Sequence, residues 1–206
     1  MSRNLGAFAP DSDEWHALRE GKIGGSSIAA VCGWSPYETR ADLMARLSGE
    51  LAPKAKSRAM ARGNFLEAGV ADWLAAEKGL AYDLDASAAT WAHDSIQWAI
   101  YNPDRITTGG DLVEIKTTND RNEDAGWGRA GTDRVPLHYA AQCQWGMGIL
   151  GLERCWLAVL AGATNGRPSL DMAVYRLTAD TAAFAFMLAK AERFMSELNA
   201  REATAA

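Results

Sequence analysis

Residues 102–119 have the sequence NPDRITTGGDLVEIKTTN, and this stretch decides how the centre of the chain folds. Asp104 ends one short extended segment, and nine residues separate it from Glu114 on the next one. The intervening ITTGGD segment predicts a turn, because its two glycines supply backbone freedom. Side chains alternate along a strand, so Glu114 and Lys116 share one face. Pairing the two strands therefore brings Asp104 beside Glu114 and Lys116.

Two carboxylates and an ammonium group on an otherwise apolar sheet suit the binding of a hard divalent cation. Carboxylate oxygens are the ligands that Mg²⁺ takes in proteins. A cation held there polarises a phosphodiester and lowers the pKa of a bound water, which the lysine can orient. The alternative is a surface strand of alternating charge. The short pattern by itself leaves both interpretations open.

Hydrophobic periodicity extends the prediction to either side of this stretch. Helices are predicted at 11–20, 28–32, 39–47, 58–78, 136–150 and 178–199, with a frayed tail beyond the last. Strands are predicted at 80–92, 96–101, 111–117, 154–161 and 171–176, and a polar, glycine-rich loop at 119–134. This order predicts an α/β protein of α+β character, with a central mixed sheet flanked by helices. We expect one domain over 1–206, with a helical part at about 11–79 and the sheet and its helices at about 80–200.

Composition narrows the functional class. The net charge of −5 argues against a protein that coats nucleic acid by charge alone, but it does not exclude a nuclease, whose metal site must be acidic. No apolar run is long enough to span a bilayer, and the N-terminus shows no secretory signal. The three cysteines form no CxxC pattern. We therefore expect a cytoplasmic protein without a disulfide framework or a membrane partner.

Five motifs occur in an order that resembles one family of nucleases. They are WHALREGKIGGSSIAAVCGWSPY (15–37), RGNFLEAGVADWLAAEKG (62–79), NPDRI (102–106), LVEIKTTN (112–119) and VPLHYAAQCQWGMGILGLERCWLAVL (135–160). The family is that of the phage-type nucleases related to YqaJ and to the exonuclease of bacteriophage lambda, within the PD-(D/E)XK superfamily. The resemblance implies a core like that of restriction endonucleases.

The resemblance also implies roles for the residues of the catalytic part. Asp104 and Glu114 correspond to the metal ligands, with Glu67 assisting, and Lys116 corresponds to the catalytic lysine. Gln142 corresponds to a glutamine that orients the lysine or the attacking water. The neighbouring Gln144 has either a site role or a merely polar surface role.

Other positions correspond to family residues that contact DNA. Arg19 and Ser26 match phosphate-binding positions; the alternatives are a cation at a helix end for Arg19 and an N-cap for Ser26. Tyr139 packs under the site or contacts phosphate. Arg105 stands where the family commonly has glycine. Its side chain either contacts the DNA phosphates or pairs with an acidic side chain. Asp94 also matches an acidic position, and we expect it to be peripheral.

The implied function is Mg²⁺-dependent exonuclease digestion of linear double-stranded DNA, with Mn²⁺ as a possible substitute. The implied direction is 5′ to 3′, which leaves 3′ single strands for phage-type recombination and makes a single-strand annealing protein a partner. A homo-oligomer, with a trimer favoured, is implied by the ring of three subunits in the lambda enzyme. Alternatives are a structure- or site-specific endonuclease and a non-catalytic DNA-binding protein that keeps the fold. The iron–sulphur branch of the superfamily is rejected, since it needs four cysteine ligands and this chain has three.

Overall fold

The computed structural model describes residues 2–9, 12–52, 55 and 57–205. The fold is mixed α/β, as predicted. The described strands are β1 (Ser2–Ala7), β2 (Ala89–His93), β3 (Ile100–Tyr101), β4 (Arg105–Ile106), β5 (Leu112–Thr118), β6 (Arg154–Ala161), β7 (Ala163–Thr164), β8 (Arg167–Pro168) and β9 (Met172–Thr178). The described helices are α1 (Asp13–Arg19), α2 (Gly25–Val31), α3 (Arg40–Leu47), α4 (Arg58–Lys78), α5 (Leu84–Ala88), α6 (Leu137–Leu150) and α7 (Thr181–Ala205).

The central sheet has the strand order β4-β5-β6-β9 and is mixed, as predicted. β5 and β6 run parallel, with Glu114 opposite Leu157, and both edge pairs are antiparallel. A parallel pair needs a long crossover, which α6 supplies between β5 and β6. This arrangement places β5, the strand of the EIK motif, next to the edge strand β4.

Alternation along β5 divides the core between the two faces of the sheet. Val113 and Ile115 face α4, where they join a cluster with Val70 and Leu74. Leu112 faces the other way and joins the larger cluster around α2, α6 and α7. Glu114 and Lys116 share that second face because side chains two apart on a strand point the same way. The catalytic candidates therefore lie between the sheet and α6.

The region before the central sheet differs from the sequence prediction. Residues 80–92 do not form one strand, because Asp83 caps the short helix α5 by accepting from the N–H of Ala86. Only the end of the predicted 96–101 strand is extended, as β3. Strand β1 was not predicted. It pairs with β2, which in turn pairs with β3, so a separate three-stranded sheet forms.

Asp104 lies between these two sheets rather than at the end of a strand of the central one. β4, directly after it, contributes only two residues, and Arg105 pairs with Val113. The turn then closes where the N–H of Thr107 donates to the carbonyl of Asp111 at 2.9 Å. Gly110 has φ +79°, so the predicted use of glycine in this turn is confirmed.

Helix ends also differ from the sequence prediction. α2 begins at Gly25 rather than at residue 28, and α7 continues to Ala205 rather than ending at 199. Pro136 is the N-cap of α6. Residues 162–168, between β6 and β9, contain the small hairpin β7–β8. In the part of the chain that the structure describes, no helix is both long and apolar enough to cross a bilayer.

Candidate active site

Glu114 is the centre of a buried polar cluster. Its residue exposure is 0%, although it lies on an apolar strand between Val113 and Ile115. Its Oε1 accepts hydrogen bonds from Nζ of Lys116 and from Nε2 of Gln142. Its Oε2 accepts from the hydroxyl of Tyr101. A buried carboxylate is costly unless it is paired in this way, so the three donors together fix its orientation.

Lys116 is held in its charged form. Burial alone would lower the pKa of its ammonium group, but the nearby charges of Glu114 and Asp104 outweigh burial and raise the pKa above its ordinary value. At neutral pH the side chain is therefore a cation and a hydrogen-bond donor. This state suits the orientation of a water molecule or the stabilisation of a developing anion.

Asp104 approaches the same cluster from the edge of the sheet. Its Oδ2 accepts from the backbone N–H of Ile115 at 2.7 Å, which anchors it across β5. Burial first, and then the negative charge of Glu114, raise the pKa of Asp104 well above its ordinary value. The sequence thus brings together Asp104, Glu114 and Lys116, as the spacing predicted.

This donor set fits a divalent cation. Burial and the charge of Glu114 make ionisation of Asp104 costly, and a cation beside the two carboxylates would offset that cost. Among the described residues, no three His, Cys, Asp or Glu side chains converge closely enough to hold a metal ion. The fit therefore rests on the carboxylate pair Asp104 and Glu114, which leaves coordination positions for water and substrate.

Glu67 and Arg105 contact each other at the margin of the cluster. Nη1 of Arg105 lies 3.2 Å from Oε1 of Glu67, and it also donates to the carbonyl of Asp104. Arg105 thereby links Glu67 to the backbone of Asp104. Arg105 thus pairs with an acid, one of the two alternatives weighed for it. The roles of Glu67 in metal binding and of Arg105 in phosphate binding stay predictions.

Arg19 and Ser26 lie on the two N-terminal helices that precede the sheet. The guanidinium of Arg19 stacks over the ring of Trp15 at 4.2 Å and donates to Oδ1 of Asn102 at 2.5 Å. Burial lowers the pKa of Arg19. Ser26 is exposed on the first turn of α2, and Gly24 is the N-cap of that helix. The alternative in which Ser26 serves as an N-cap is therefore wrong.

Gln142 and Tyr139 lie one turn apart on α6 and face the cluster. Gln142 contacts Glu114 as described, and Nζ of Lys116 lies 6.0 Å from the centre of the Tyr139 ring. The Tyr139 hydroxyl is 3.3 Å from that of Tyr37, and burial raises the pKa of Tyr139. Next to it, burial and then the charge of Lys116 lower the pKa of His138, which is neutral at pH 7. The side chains that α6 places beside Lys116, those of His138 and Tyr139, are thus aromatic and uncharged.

Two further candidates, Gln144 and Asp94, lie outside the cluster around Glu114. Nε2 of Gln144 donates to the carbonyl of Thr178 at 2.8 Å, and its Oε1 accepts from the N–H of Asp180 at 2.8 Å. These bonds tie α6 to the turn between β9 and α7, which is a structural role. The Asp94 carboxylate is 52% exposed and lies 3.2 Å from Nδ1 of His93.

Sequence reasoning missed Tyr101 and Asn102. Both directly precede the Pro103-Asp104 pair, and each makes a hydrogen bond to a predicted site residue. A tyrosine in an apolar segment is ordinarily a core residue, and an asparagine before proline is ordinarily a turn residue. Only their position beside the aspartate could have indicated a role.

Comparison with known proteins identifies the family of the chain. The sequence profile of the YqaJ-like viral recombinase domain matches residues 14–153. The chain belongs to this family. The match runs from α1 to the end of α6 and includes all the predicted site residues. It confirms the resemblance that the five motifs predicted.

The individual family member and the solved structures that resemble this chain share less than 30% of its sequence. An uncharacterised YqaJ protein from Bacillus subtilis strain 168 is 28% identical over 161 residues; the match covers 74% of this chain and 47% of that relative, so the chain spans about half of its length. The alkaline exonuclease LHK-Exo from Laribacter hongkongensis has a similar fold, with a TM-score of 0.71 in its complex with dAMP, 21% identity and coverage of 94% and 95% of the two chains. A phage-related exonuclease from Haemophilus somnus 129PT gives a TM-score of 0.55 at 10% identity, over 87% and 96% of the chains. These structures establish the shared fold.

Proposed function

We propose that this chain is a Mg²⁺-dependent nuclease that digests linear double-stranded DNA from its ends. The observation that carries the proposal is the cluster of Asp104, Glu114 and Lys116, in which a fully buried carboxylate on β5 is bonded to a charged, half-buried lysine and has a second, half-buried carboxylate beside it. A buried arrangement of this kind is a poor way to stabilise a fold, and it is typical of a site built for chemistry. Two relatives of known structure are named as exonucleases, which supports the same class of reaction.

The chain's own residues have distinct tasks in this reaction. Asp104 and Glu114 would hold Mg²⁺, or Mn²⁺ in its place, and Glu67 would join them on releasing Arg105. The bound cation would supply polarisation of the scissile phosphate and a lowered pKa for a water at the site. Lys116, which stays protonated, donates to the water or to the phosphate oxygens. Gln142 keeps Glu114 and Lys116 aligned, and Tyr139 forms the adjoining wall.

The direction of digestion is proposed to come from Arg19 and Ser26. Arginine offers a forked donor that suits phosphate oxygens, and the exposed serine hydroxyl adds a second donor. Holding a 5′-terminal phosphate there would fix the strand end relative to the carboxylates. Digestion would then run 5′ to 3′ and leave 3′ single strands for recombination, where a single-strand annealing protein would receive them.

The test compares linear with covalently closed circular duplex, each with Mg²⁺ and with EDTA. We expect loss of the linear form alone, only with Mg²⁺, and with release of label from 5′ ends before 3′ ends. Asp104→Asn, Glu114→Gln and Lys116→Met should each reduce the rate by several orders of magnitude, and each factor of ten corresponds to about 1.4 kcal/mol.

Matched controls exist at the far end of α4. Glu77 and Lys78 form an exposed ion pair there, so Glu77→Gln and Lys78→Met remove the same charges outside the cluster. Both controls should keep the wild-type rate. Cleavage of the closed circle would indicate an endonuclease instead. DNA binding without any cleavage by the wild type, under either cation, would indicate a non-catalytic protein and overturn the proposal.

A further inference from the structure

One short segment of the chain contacts two separate parts of the proposed site. Tyr101, the last residue of β3, donates to Oε2 of Glu114. The next residue, Asn102, accepts from Arg19, 83 positions away along the chain, through its Oδ1. Successive residues of extended chain point in opposite directions, so one segment can serve both sides.

The hydroxyl of Tyr101 has a defined donor role. The residue is 1% exposed, and its hydroxyl contacts Oε2 of Glu114, an oxygen that accepts, so the hydroxyl donates. Lys116 and Gln142 both contact the other oxygen, Oε1. Tyr101 is thus the donor to Oε2 among the three that together fix the orientation of the carboxylate.

The ring of Tyr101 is itself held between two helices. A Cβ built at Gly25, the first residue of α2, would lie 2.5 Å from Cε2 of Tyr101 and 3.1 Å from Cγ of Gln142. A Cβ built at Gly146 of α6 would lie 2.4 Å from Cζ of the same ring. The two glycines let both helices approach the ring closely, so α2 packs directly on two of the donors to Glu114.

Asn102 is fixed on its other side as well. Its Nδ2 donates to Oγ1 of Thr90 at 2.6 Å, and Thr90 is 1% exposed in β2. The amide cannot rotate without breaking one of its two bonds. Its oxygen is therefore presented to Arg19, whose guanidinium also lies 4.2 Å from the centre of the Trp15 ring.

We propose that Tyr101 and Asn102 are positioning residues that set the phosphate-binding arginine and the metal-binding carboxylate at a fixed separation. Tyr101 orients Glu114 for the cation, and Asn102 orients Arg19 for the 5′ phosphate. The inference deepens the proposed function and rests on it. Although the two residues are neighbours in the chain, they should therefore act on different properties of the enzyme. Tyr101 should affect the affinity for the cation, and Asn102 should affect the preference for 5′-phosphorylated DNA ends.

Tyr101→Phe removes only the hydroxyl and keeps the ring between the helices. We expect its affinity for Mn²⁺, measured on the protein alone by calorimetry, to fall about tenfold or more, and the Mg²⁺ concentration for half-maximal digestion to rise in parallel. The ratio of rates on 5′-phosphorylated and 5′-hydroxyl duplex should stay at the wild-type value. Tyr175→Phe is the matched control, because it removes a hydroxyl that is equally buried and bonds to the carbonyl of Gly128.

Asn102→Ala should show the reverse pattern. Its affinity for Mn²⁺ should equal that of the wild type, while its preference for 5′-phosphorylated ends falls by about a factor of 3–10. Arg19→Ala serves as the reference for complete loss of the preference. All rates are compared at one salt concentration, since phosphate contacts weaken as salt rises.

The outcomes separate this inference from the proposed function. A wild type that binds Mn²⁺ but cleaves no DNA overturns the nuclease, while Tyr101→Phe still decides the role of Tyr101 through cation affinity. Unchanged Mn²⁺ affinity in Tyr101→Phe, with or without a lower thermal midpoint, shows that the hydroxyl is only structural. A wild type with no preference for 5′-phosphorylated ends overturns the role of Asn102, and equal loss of both properties in both variants overturns the proposal as a whole.

Discussion

At the scale of single residues, Asp104 lies where the fold disfavours a negative charge. Burial and repulsion by Glu114 raise the pKa of Asp104, so the folded chain retains a proton that the unfolded chain gives up. Below the ordinary aspartate pKa of about 3.9 both states are protonated and the effect is absent. As the pH rises above that value towards the folded pKa, the free energy of unfolding falls. The proposed cation site therefore costs stability at neutral pH.

Asp104→Asn should raise the thermal midpoint in EDTA at pH 7.5, because asparagine does not ionise and its oxygen can still accept from the N–H of Ile115. Each unit of pKa shift corresponds to about 1.4 kcal/mol, and 1 kcal/mol to about 2–4 °C for a chain of this size. Scanning calorimetry should show that the difference in thermal midpoint between the variant and the wild type disappears below about pH 4. Adding Mg²⁺ at pH 7.5 should reduce this difference, because the cation stabilises only the wild type. A variant less stable than the wild type at pH 7.5 would contradict this explanation.

At the scale of elements, α6 depends on glycine where it packs against its neighbours. A Cβ at Gly146 would meet the ring of Tyr101, and a Cβ at Gly148 would lie 2.1 Å from Cδ2 of Phe184 on α7. Glycine costs a helix about 1 kcal/mol relative to alanine. The close approach of β3 and α7 therefore outweighs helix propensity at these positions.

Gly146→Ala should lower the free energy of unfolding by about 1–3 kcal/mol, since overpacking exceeds the gain in helix propensity. Gly69→Ala is the matched control in α4, where a Cβ would meet nothing within 4 Å. That substitution should raise the free energy of unfolding by about 0.5–1 kcal/mol. Urea unfolding measures both. An equal gain in both variants would mean that α6 does not pack against Tyr101 as described.

At the scale of the whole molecule, a net charge of −5 must be reconciled with the proposed polyanionic substrate. We propose that a closed ring resolves the conflict, because only its inner lining would have to be basic and DNA could not leave between steps. The trimer that the family resemblance implies would provide such a ring.

Light scattering at micromolar concentration should therefore give three times the 22.2 kDa mass of the chain. Digestion of single long duplexes should then continue to completion when a trap DNA is added after binding. A mass near that of one chain at every concentration, with and without DNA, would exclude the ring. Digestion would in that case stop as soon as the trap is added.

Much of the candidate site follows from local sequence. The long helix before the sheet, strands β5, β6 and β9 and the helix after Pro136 were predicted within a few residues, because each has a clear apolar period and turn residues at its ends. The period of two along β5 placed Glu114 and Lys116 on one face, and the glycine turn brought Asp104 to them. These properties depend on neighbours within about a dozen residues, so the sequence by itself determined them.

Other properties depend on contacts that no local pattern encodes. β1 exists because Ser2–Ala7 can pair with β2 some 85 residues later, and α5 forms where Asp83 finds a free N–H in a segment that otherwise resembles a strand. The hydrogen bonds of Tyr101 with Glu114 and of Asn102 with Arg19 likewise arise only when two sheets and two helices meet around one segment. The sequence indicated which residues are candidates to carry the chemistry. Tertiary structure alone decided which neighbours hold them, because a buried polar group must find its partner wherever the packed chain brings one.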